Sequence, residues 1–178
     1  MVKQLSSILL LGFLLSTVNP ARANGRIETA GNILEFVLPA AAAGITVSMQ
    51  DWTGTLQLGE SIVLNEGITG ILKYTVKERR PNGEDDHSFP SGHMSISCTS
   101  AEFMRKRFGW IYGTPMYALA AFVGYSRIES KHHYFHDVAA GAVIGIASGY
   151  IFTRPYHGIE ISGSALAGHF AIRCSGYF

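Results

Sequence analysis

One apolar run near the end of the chain restricts the fold more than any other feature. Asp137–Phe152 (DVAAGAVIGIASGYIF) has no charged residue after its first position, and it carries glycine at positions 141, 145 and 149. Small residues at every fourth position share one helix face and let a second helix approach closely, in a membrane or in a tight soluble bundle. The run therefore predicts a helix that packs closely against its neighbours.

Apolar residues at helical spacing predict four further helices, over 32–50, 59–76, 94–108 and 116–125. Pro39 is expected to bend or break the first of them, and Trp52–Leu58 is expected to form a loop. Gly158–Phe178 differs, because its apolar and small residues alternate, which suggests a short hairpin or an extended tail. The fold class predicted is all-α, a helical bundle with this short tail.

The N-terminus has the three-part pattern of a secretory signal peptide. Lys3 precedes an apolar run, Ile8–Val18, and Ala21–Ala23 (ARA) offers a cleavage site between small residues. The predicted organisation is a signal peptide over 1–23, one domain over 24–157 and the tail over 158–178. The alternative is an uncleaved anchor, although the run is shorter than the roughly 20 residues of a membrane span. Export would place the protein in the periplasm.

Composition limits the function classes. The chain has 178 residues, of which 47% are hydrophobic and 15% charged, with a net charge of +1. Such a balance gives no reason to expect a nucleic-acid partner. The short apolar runs and the charges of Glu102 and Arg105–Arg107 favour a mainly soluble periplasmic protein, with peripheral membrane contact as the alternative. Cys98 and Cys174 could form a disulfide after export, or Cys98 could be a core residue.

The segment Ser126–Asp137 (SRIESKHHYFHD) contains residues suited to nucleophilic catalysis on phosphate. If the chain is helical after Lys131, Asp137 lies on the same face as His133 and accepts a hydrogen bond from one ring nitrogen. That bond fixes the tautomer and leaves the other nitrogen basic. The imidazole would itself be the nucleophile, because no serine or cysteine stands at a suggestive spacing. Arg127 supplies a planar set of donors that fits a phosphate.

Two further motifs precede this segment in a fixed order. Lys73 stands seven positions before Arg80, which is followed by proline, and Pro90–His93 reads PSGH. With these three motifs the chain resembles the type 2 phosphatidic acid phosphatase (PAP2) superfamily. That group includes bacterial acid phosphatases, lipid phosphate phosphatases and vanadium haloperoxidases. The resemblance implies a helical fold and metal-independent hydrolysis of phosphate monoesters through a phosphohistidine, with no cofactor.

The resemblance also implies a role for each motif residue. His133 would be the nucleophile, Asp137 its orienting partner, and His93 the general acid for the leaving group. Five residues would bind the phosphate oxygens, namely Lys73, Arg80, Arg127, Ser91 and Gly92. The expected partner is a phosphate ester, either a lipid phosphate or a small soluble ester, and the substrate itself is left open.

Two other functions fit the same motifs. A vanadium haloperoxidase would bind vanadate in this pocket, but such enzymes are much longer. A non-catalytic protein that binds phosphate or a lipid headgroup would not need intact His93, His133 and Asp137. His132 and His136, four residues apart, could also bind a metal such as zinc, although no third ligand is evident from the sequence.

Overall fold

The structure, a computed structural model, describes residues 20–156, 159–166 and 169–176. The predicted signal peptide therefore lies largely outside the described residues, and its cleavage point after Ala23 falls in the first turn of the first helix. The described chain forms five helices and one hairpin. These are α1 (Pro20–Ser48), α2 (Trp52–Val76), α3 (Gly92–Phe108), α4 (Trp110–Glu129), α5 (Phe135–Phe152), β1 (Ile159–Leu166) and β2 (His169–Gly176).

The helices are longer than the sequence patterns suggested. Pro39 lies inside α1 without ending it. The prediction of a loop over Trp52–Leu58 is wrong, because α2 begins at Trp52. The Asp51 side chain, just before this helix, accepts a hydrogen bond from Gly54 N at 2.9 Å. An aspartate at this position satisfies a backbone donor that the first helical turn leaves unpaired. Similarly, α4 begins at Trp110 and continues through Pro115.

The close packing predicted from the glycines of α5 is confirmed. A Cβ atom at Gly141, Gly145 or Gly149 would lie less than 3 Å from a backbone carbonyl oxygen of α3 or of Ser91, the residue that caps it. The helix α3 thus lies directly against α5, and α1, α2 and α4 also pack on it. Its N-terminal end is consequently held by the ends of several other helices.

The interior of the bundle is polar to an unusual degree. Beside an apolar cluster that includes Leu38, Phe103 and Val123, many buried positions are hydroxyl or amide side chains. They include Thr46, Ser61, Asn65, Thr69, Ser95, Ser97, Thr99, Ser100, Ser126 and Ser148. Residues of this kind hold helices together where the surroundings are as apolar as the core.

The exterior, by contrast, exposes large apolar side chains along α1, α2 and α5. Phe36 is 71% exposed, Val63 is 74% exposed and Val143 is 68% exposed. Large exposed apolar surfaces mark sites of contact with other proteins or with a membrane. This surface argues against the expectation of a mainly soluble protein, which rested on apolar runs that were read as too short.

Two described helices, at Gly25–Ser48 and Phe135–Phe152, are long and apolar enough to cross a membrane. Exposed aromatic residues also stand near both ends of the bundle. Trp52, Trp110 and Tyr150 mark one end, and Tyr74 and Tyr125 mark the other. Along α2, the rise of 1.5 Å per residue separates Trp52 from Tyr74 by about 33 Å. That spacing is close to the thickness of a bilayer's hydrocarbon core, about 30 Å.

The C-terminal segment forms a hairpin, which was one of the two predicted possibilities. β1 and β2 pair antiparallel, with Ile159 opposite Gly176 and Leu166 opposite His169. Cys98 is buried in the core as a free thiol, so the disulfide with Cys174 is not formed. The described chain is therefore a helical bundle with a short extended addition, in agreement with the predicted all-α fold class.

Candidate functional site

The residues of all three motifs lie at one end of the bundle, which we call the site end. Five segments meet there, namely the C-terminal turn of α2, the loop 77–91, the first turn of α3, the C-terminal turns of α4, and the turn 130–134 leading into α5. Backbone hydrogen bonds join them, from Ser91 N to Asp137 O and from Asn82 N to Lys131 O, each 3.0 Å. The motifs are therefore close in space although they are distant in sequence.

His133 and Asp137 form a buried pair. Their side chains are 2% and 0% exposed, and His133 Nδ1 lies 3.5 Å from Asp137 Oδ2. The pair was expected on one helix face, but α5 begins only at Phe135, so His133 lies in the preceding turn. This separation does not give the predicted hydrogen bond, and His133 Nδ1 has no hydrogen-bond partner among the described residues. It nevertheless places the carboxylate behind Nδ1 and leaves Nε2 as the nitrogen away from it.

The surroundings of His133 favour the neutral ring. Burial, together with the positive charges of Arg80 and Lys73, lowers its pKa to about 3. Burial has the larger effect, because a charged imidazole loses its hydration there. The negative charge of Asp137 acts in the opposite direction and does not restore the usual value. A neutral ring with a bare nitrogen is the form that a nucleophilic histidine requires.

Asp137 is itself held by two donors that the sequence did not reveal. Its Oδ2 accepts a hydrogen bond from Ser88 Oγ at 2.5 Å and another from Tyr134 N at 2.8 Å. Ser88 is fully buried and lies in the loop before α3. A serine in a polar loop gives no signal of such a role, because the contact spans 49 positions and arises only when the loop folds over α5.

The three cations of the motifs surround the same place from different segments. Lys73 donates from Nζ to the His87 carbonyl at 2.9 Å, and Arg80 donates from Nε to Asp85 Oδ1 at 2.8 Å. Arg127 is buried and donates only to a carbonyl, an amide and a hydroxyl oxygen. Neither Lys73 nor Arg127 forms an ion pair with a carboxylate within the described part of the chain. Lys73 and Arg127 thus donate only to uncharged oxygens, whereas Arg80 is paired with Asp85.

The PSGH motif begins α3. Ser91 is buried and caps the helix by accepting a hydrogen bond from Met94 N at 3.4 Å, after a cis peptide bond between Phe89 and Pro90. Gly92 lies beside Lys73, since a Cβ atom built on the glycine would be 3.8 Å from Lys73 Cε. The first backbone N–H groups of a helix are suited to an anion. Ser91 and Gly92 therefore lie next to a cation at a helix start.

Residues of α1 complete the site end. His93 Nε2 lies 2.8 Å from Glu35 Oε2 and 3.2 Å from Asn32 Oδ1, and the same Asn32 oxygen accepts a hydrogen bond from Arg127 at 2.7 Å. Glu28 contributes its backbone carbonyl to Arg127. The sequence reasoning missed these residues, although polar residues at 28, 32 and 35 form one stripe on an otherwise apolar helix.

His132 and His136, which were considered as a metal site, contact different carboxylates. His132 contacts Glu28 at 2.8 Å and Glu84 at 3.3 Å, whereas His136 contacts Glu78 at 2.8 Å and Asp137 at 3.2 Å. One three-residue group of metal-ligating side chains was found among the described residues, and it consists of Glu78, His136 and Asp137 without His132.

Comparison with known proteins adds independent findings. Residues 54–159 match the model of the PAP2 superfamily. The lipid A 4'-phosphatase of Helicobacter pylori is 27% identical over 141 residues, which are 73% of this chain and 71% of that enzyme. Undecaprenyl-diphosphatase BcrC of Bacillus subtilis is 36% identical over 115 residues, which are 52% of this chain and 56% of that enzyme.

A solved structure shares the fold. The crystal structure of Aquifex aeolicus LpxE superposes with a TM-score of 0.65 over 80% of this chain and 92% of that one, at 21% sequence identity. At this identity the similarity establishes the fold alone. The family match covers more than half of the chain and includes all three motifs. The chain therefore belongs to the PAP2 superfamily and is a phosphatase of the PAP2 type.

Proposed function

We propose that this protein hydrolyses the phosphate ester of a membrane lipid, without a metal, through a phosphohistidine at His133. The observation that carries the proposal is the buried, neutral His133, with Asp137 behind one ring nitrogen and the cations Lys73 and Arg80 near it. The negative charge of a phosphate monoester would balance the positive charge of these cations. A lipid, rather than a soluble ester, is supported by the apolar exterior and by the named substrates of the relatives.

In the first step, His133 Nε2 attacks phosphorus and the ester oxygen leaves. A bond forms between nitrogen and phosphorus, the bond from phosphorus to the ester oxygen breaks, and His93 gives its proton to the leaving oxygen. In the second step, water attacks the phosphohistidine and transfers a proton to His93. Phosphate leaves and His133 becomes neutral again, so both histidines return to their starting forms.

The cations stabilise the transition state of both steps. Its negative charge is spread over the three non-bridging oxygens, so catalysis depends mostly on positioning and electrostatic stabilisation. Lys73, Arg80 and Arg127 come from three different segments and are assigned to these oxygens. Ser91 and Gly92 add donors at the start of α3. Fixed charges of this kind perform the task that a divalent cation has in other phosphatases.

The position of the site favours a lipid. It lies at the end of the bundle marked by Tyr74 and Tyr125, and exposed aromatic residues are typical of the membrane interface, where lipid phosphates are found. The apolar exterior between the two aromatic ends suits the hydrocarbon core. The charges of α3 that had argued against a membrane are compatible with it, because Arg107 is buried and paired with Asp51, and Arg105 is paired with Glu102.

The first test measures phosphate release by the full chain in detergent micelles. A lipid monophosphate in mixed micelles and a soluble aryl phosphate are compared in EDTA, with and without vanadate. We expect EDTA-resistant, vanadate-sensitive turnover that strongly prefers the lipid. Equal rates on both substrates would contradict the lipid assignment, and loss of activity in EDTA would contradict the metal-independent mechanism.

The nucleophile is tested by trapping. A radiolabelled phosphate ester and rapid quenching in alkali should give a labelled protein whose label is lost in acid, as expected for a phosphohistidine. His133→Ala should abolish both label and turnover, and the neighbouring His132→Ala is the matched control that should keep both. A label that persists in His133→Ala would disprove the assignment.

Export and membrane insertion are tested separately. We propose that the site end faces the periplasm and that the first 23 residues direct export. Edman sequencing of the purified protein should begin at Asn24 if the leader is cleaved, and at Met1 if it remains as an anchor. In either case the protein should stay in the membrane pellet after a high-pH carbonate wash, and release into the supernatant would contradict the membrane assignment.

A further inference from the structure

We infer that Glu78, His136 and Asp137 form a binding site for a divalent transition-metal ion such as Zn²⁺, and that the bound ion inhibits the enzyme. The inhibitory part rests on the function proposed above, in which Asp137 orients His133. The binding part rests only on the geometry of three side chains. Glu78 and His136 lie between motif residues but have no assigned role there, and the proposed hydrolysis does not use them.

The three ligand atoms converge on one point at the edge of the site end. Glu78 Oε1 lies 2.8 Å from His136 Nε2, and Asp137 Oδ1 lies 3.2 Å from the same nitrogen. All three atoms are within 4.8 Å of one another. In a tetrahedral zinc site, bonds of about 2.0–2.2 Å place neighbouring ligand atoms roughly 3.3–3.6 Å apart. Only small side-chain movements separate the present arrangement from that geometry.

A hydrogen bond from His136 alone explains this arrangement less well than a bound metal ion does. Asp137 Oδ1 is fully buried, yet it accepts no hydrogen bond from any residue that the structure describes. A proton on His136 Nε2 can point at only one carboxylate, and the hydrogen bond is formed with Glu78. A metal ion in place of that proton would bind both carboxylates at once and would satisfy the buried oxygen. Buried polar atoms without a partner are uncommon and call for such an explanation.

The surroundings hold the ligands in place before any ion arrives. The His136 ring stacks on Tyr134, with centroids 5.4 Å apart and planes 8° from parallel, and on Phe89 at 6.3 Å. The Glu78 backbone carbonyl accepts a hydrogen bond from Ser88 N at 2.9 Å. His136 is half-exposed, so an ion can enter from solvent. One imidazole and two carboxylates form a ligand set that Zn²⁺ accepts, with an open position for water.

The ion would act on catalysis through Asp137. The two oxygens of this carboxylate face different partners, since Oδ2 faces His133 and Oδ1 faces His136. Coordination of Oδ1 would draw negative charge away from Oδ2. The carboxylate would then stabilise the His133 imidazole less well as positive charge develops on it during attack. Binding also displaces the proton from His136 Nε2.

The experiment first measures binding without turnover. Zn²⁺ is titrated into the full EDTA-stripped chain in detergent micelles by calorimetry, and Co²⁺ is added in parallel to record its visible absorption. We expect one ion per chain, with the affinity reduced about tenfold or more in Glu78→Gln and in His136→Gln. His132→Gln is the matched control and should bind as the wild type does. No binding, or an equal loss in His132→Gln, would overturn the site.

Inhibition is then measured on the lipid substrate. Zn²⁺ should inhibit the wild type, and the concentration for half-inhibition should rise about tenfold or more in Glu78→Gln, whose turnover in EDTA should equal that of the wild type. Equal inhibition of both proteins would overturn the inhibitory role. If the wild type binds Zn²⁺ but never releases phosphate, the proposed function fails while the metal site stands, so the two failures are distinguishable.

Discussion

Each end of the bundle contains a buried arginine, but only one of the two arginines is paired with a carboxylate. At the end away from the site, Arg107 donates to both oxygens of Asp51 and to the Arg154 carbonyl at 2.8 Å. At the site end, Arg127 is equally buried, yet its donors meet only neutral oxygens of Ser126, Asn32 and Glu28. One guanidinium is neutralised by a carboxylate of its own chain, and the other donates only to uncharged oxygens.

Under the proposed function, Arg107 has a structural role and Arg127 binds the substrate phosphate. Burying an ion without a partner of opposite charge lowers the stability of the fold. A folded chain therefore retains such an ion only where another interaction compensates for that cost. Arg105 repeats the structural pattern, because Glu102 accepts two hydrogen bonds from it and a third from Tyr117. Lys73 repeats the functional pattern with a carbonyl partner. The comparison predicts that substitutions at one end affect stability and substitutions at the other affect activity.

The largest effect is expected at Arg107. Arg107→Met leaves Asp51 buried without its main partner, and breaking a buried pair in this way costs about 3–5 kcal/mol of unfolding free energy. The thermal midpoint in detergent should fall accordingly, whereas kcat of the remaining folded enzyme should not change. The double variant with Asp51→Asn should recover much of the loss, because asparagine also caps helices. A fall in kcat with an unchanged midpoint would break the comparison.

Arg127→Met should show the reverse pattern. It removes donors assigned to the transition state, and the loss of one such group lowers kcat by about 10²–10³-fold. The thermal midpoint should change little, because the lost partners are neutral. Arg127→Lys should recover only part of the rate, since an ammonium group cannot replace the planar donor set. Steady-state rates on the lipid substrate, measured beside melting curves, test this prediction.

Ser88→Ala should have a smaller effect on the rate. The substitution removes the hydrogen bond to Asp137 Oδ2 and loosens the carboxylate behind His133. We expect kcat to fall about tenfold, which corresponds to the roughly 1–1.5 kcal/mol of one hydrogen bond, while KM stays the same. Ser88→Thr keeps the hydroxyl and should recover most of the rate. Equal losses in both variants would point to packing instead of the hydrogen bond.

The smallest effect concerns the titration of His133. Lys73→Met removes a positive charge that disfavours the imidazolium, so the pKa of His133 should rise from its value of about 3. Labelled-histidine NMR between pH 3 and 7 measures the shift, with Lys77→Met as the matched lysine control. An unchanged pKa in Lys73→Met would show that Lys73 does not act on His133.

His133 also makes the unfolding free energy depend on pH. Its pKa lies below the value of about 6.5 in an unfolded chain, so the unfolded state binds more protons between pH 6.5 and 3. The contribution of His133 to the unfolding free energy is therefore fully present above pH 6.5. It decreases as the pH is lowered through that window.

Helix type and order could be predicted from the sequence, but helix length could not. Apolar spacing correctly indicated five helices and the hairpin, because these patterns are local. The beginnings of α2 and α4 were misplaced, since Trp52–Leu58 and Gly109–Pro115 contain glycine, proline and threonine. Tertiary packing and the Asp51 cap keep these segments helical. The shortened helices were also the basis for the expectation of a mainly soluble protein.

The motif residues could be identified from the sequence, and their supporting residues could not. His93, His133 and the three cations stand in a recognisable order, so the family and the class of chemistry followed from the sequence alone. Whether each residue has its predicted role remains to be tested by the variants above. Ser88, Asn32 and Glu35 contact motif residues that lie at least 49 positions away in the sequence. A local sequence pattern cannot reveal contacts between residues so far apart.

The sequence by itself determined an all-helical chain of the PAP2 type, because periodic apolar residues and three ordered motifs are local properties. Only the tertiary structure decided which charges are neutralised, where Asp137 finds its partners, and that the apolar surface faces outward. Those outcomes depend on distances between helix ends, and such distances are set when α3 is enclosed by its neighbours.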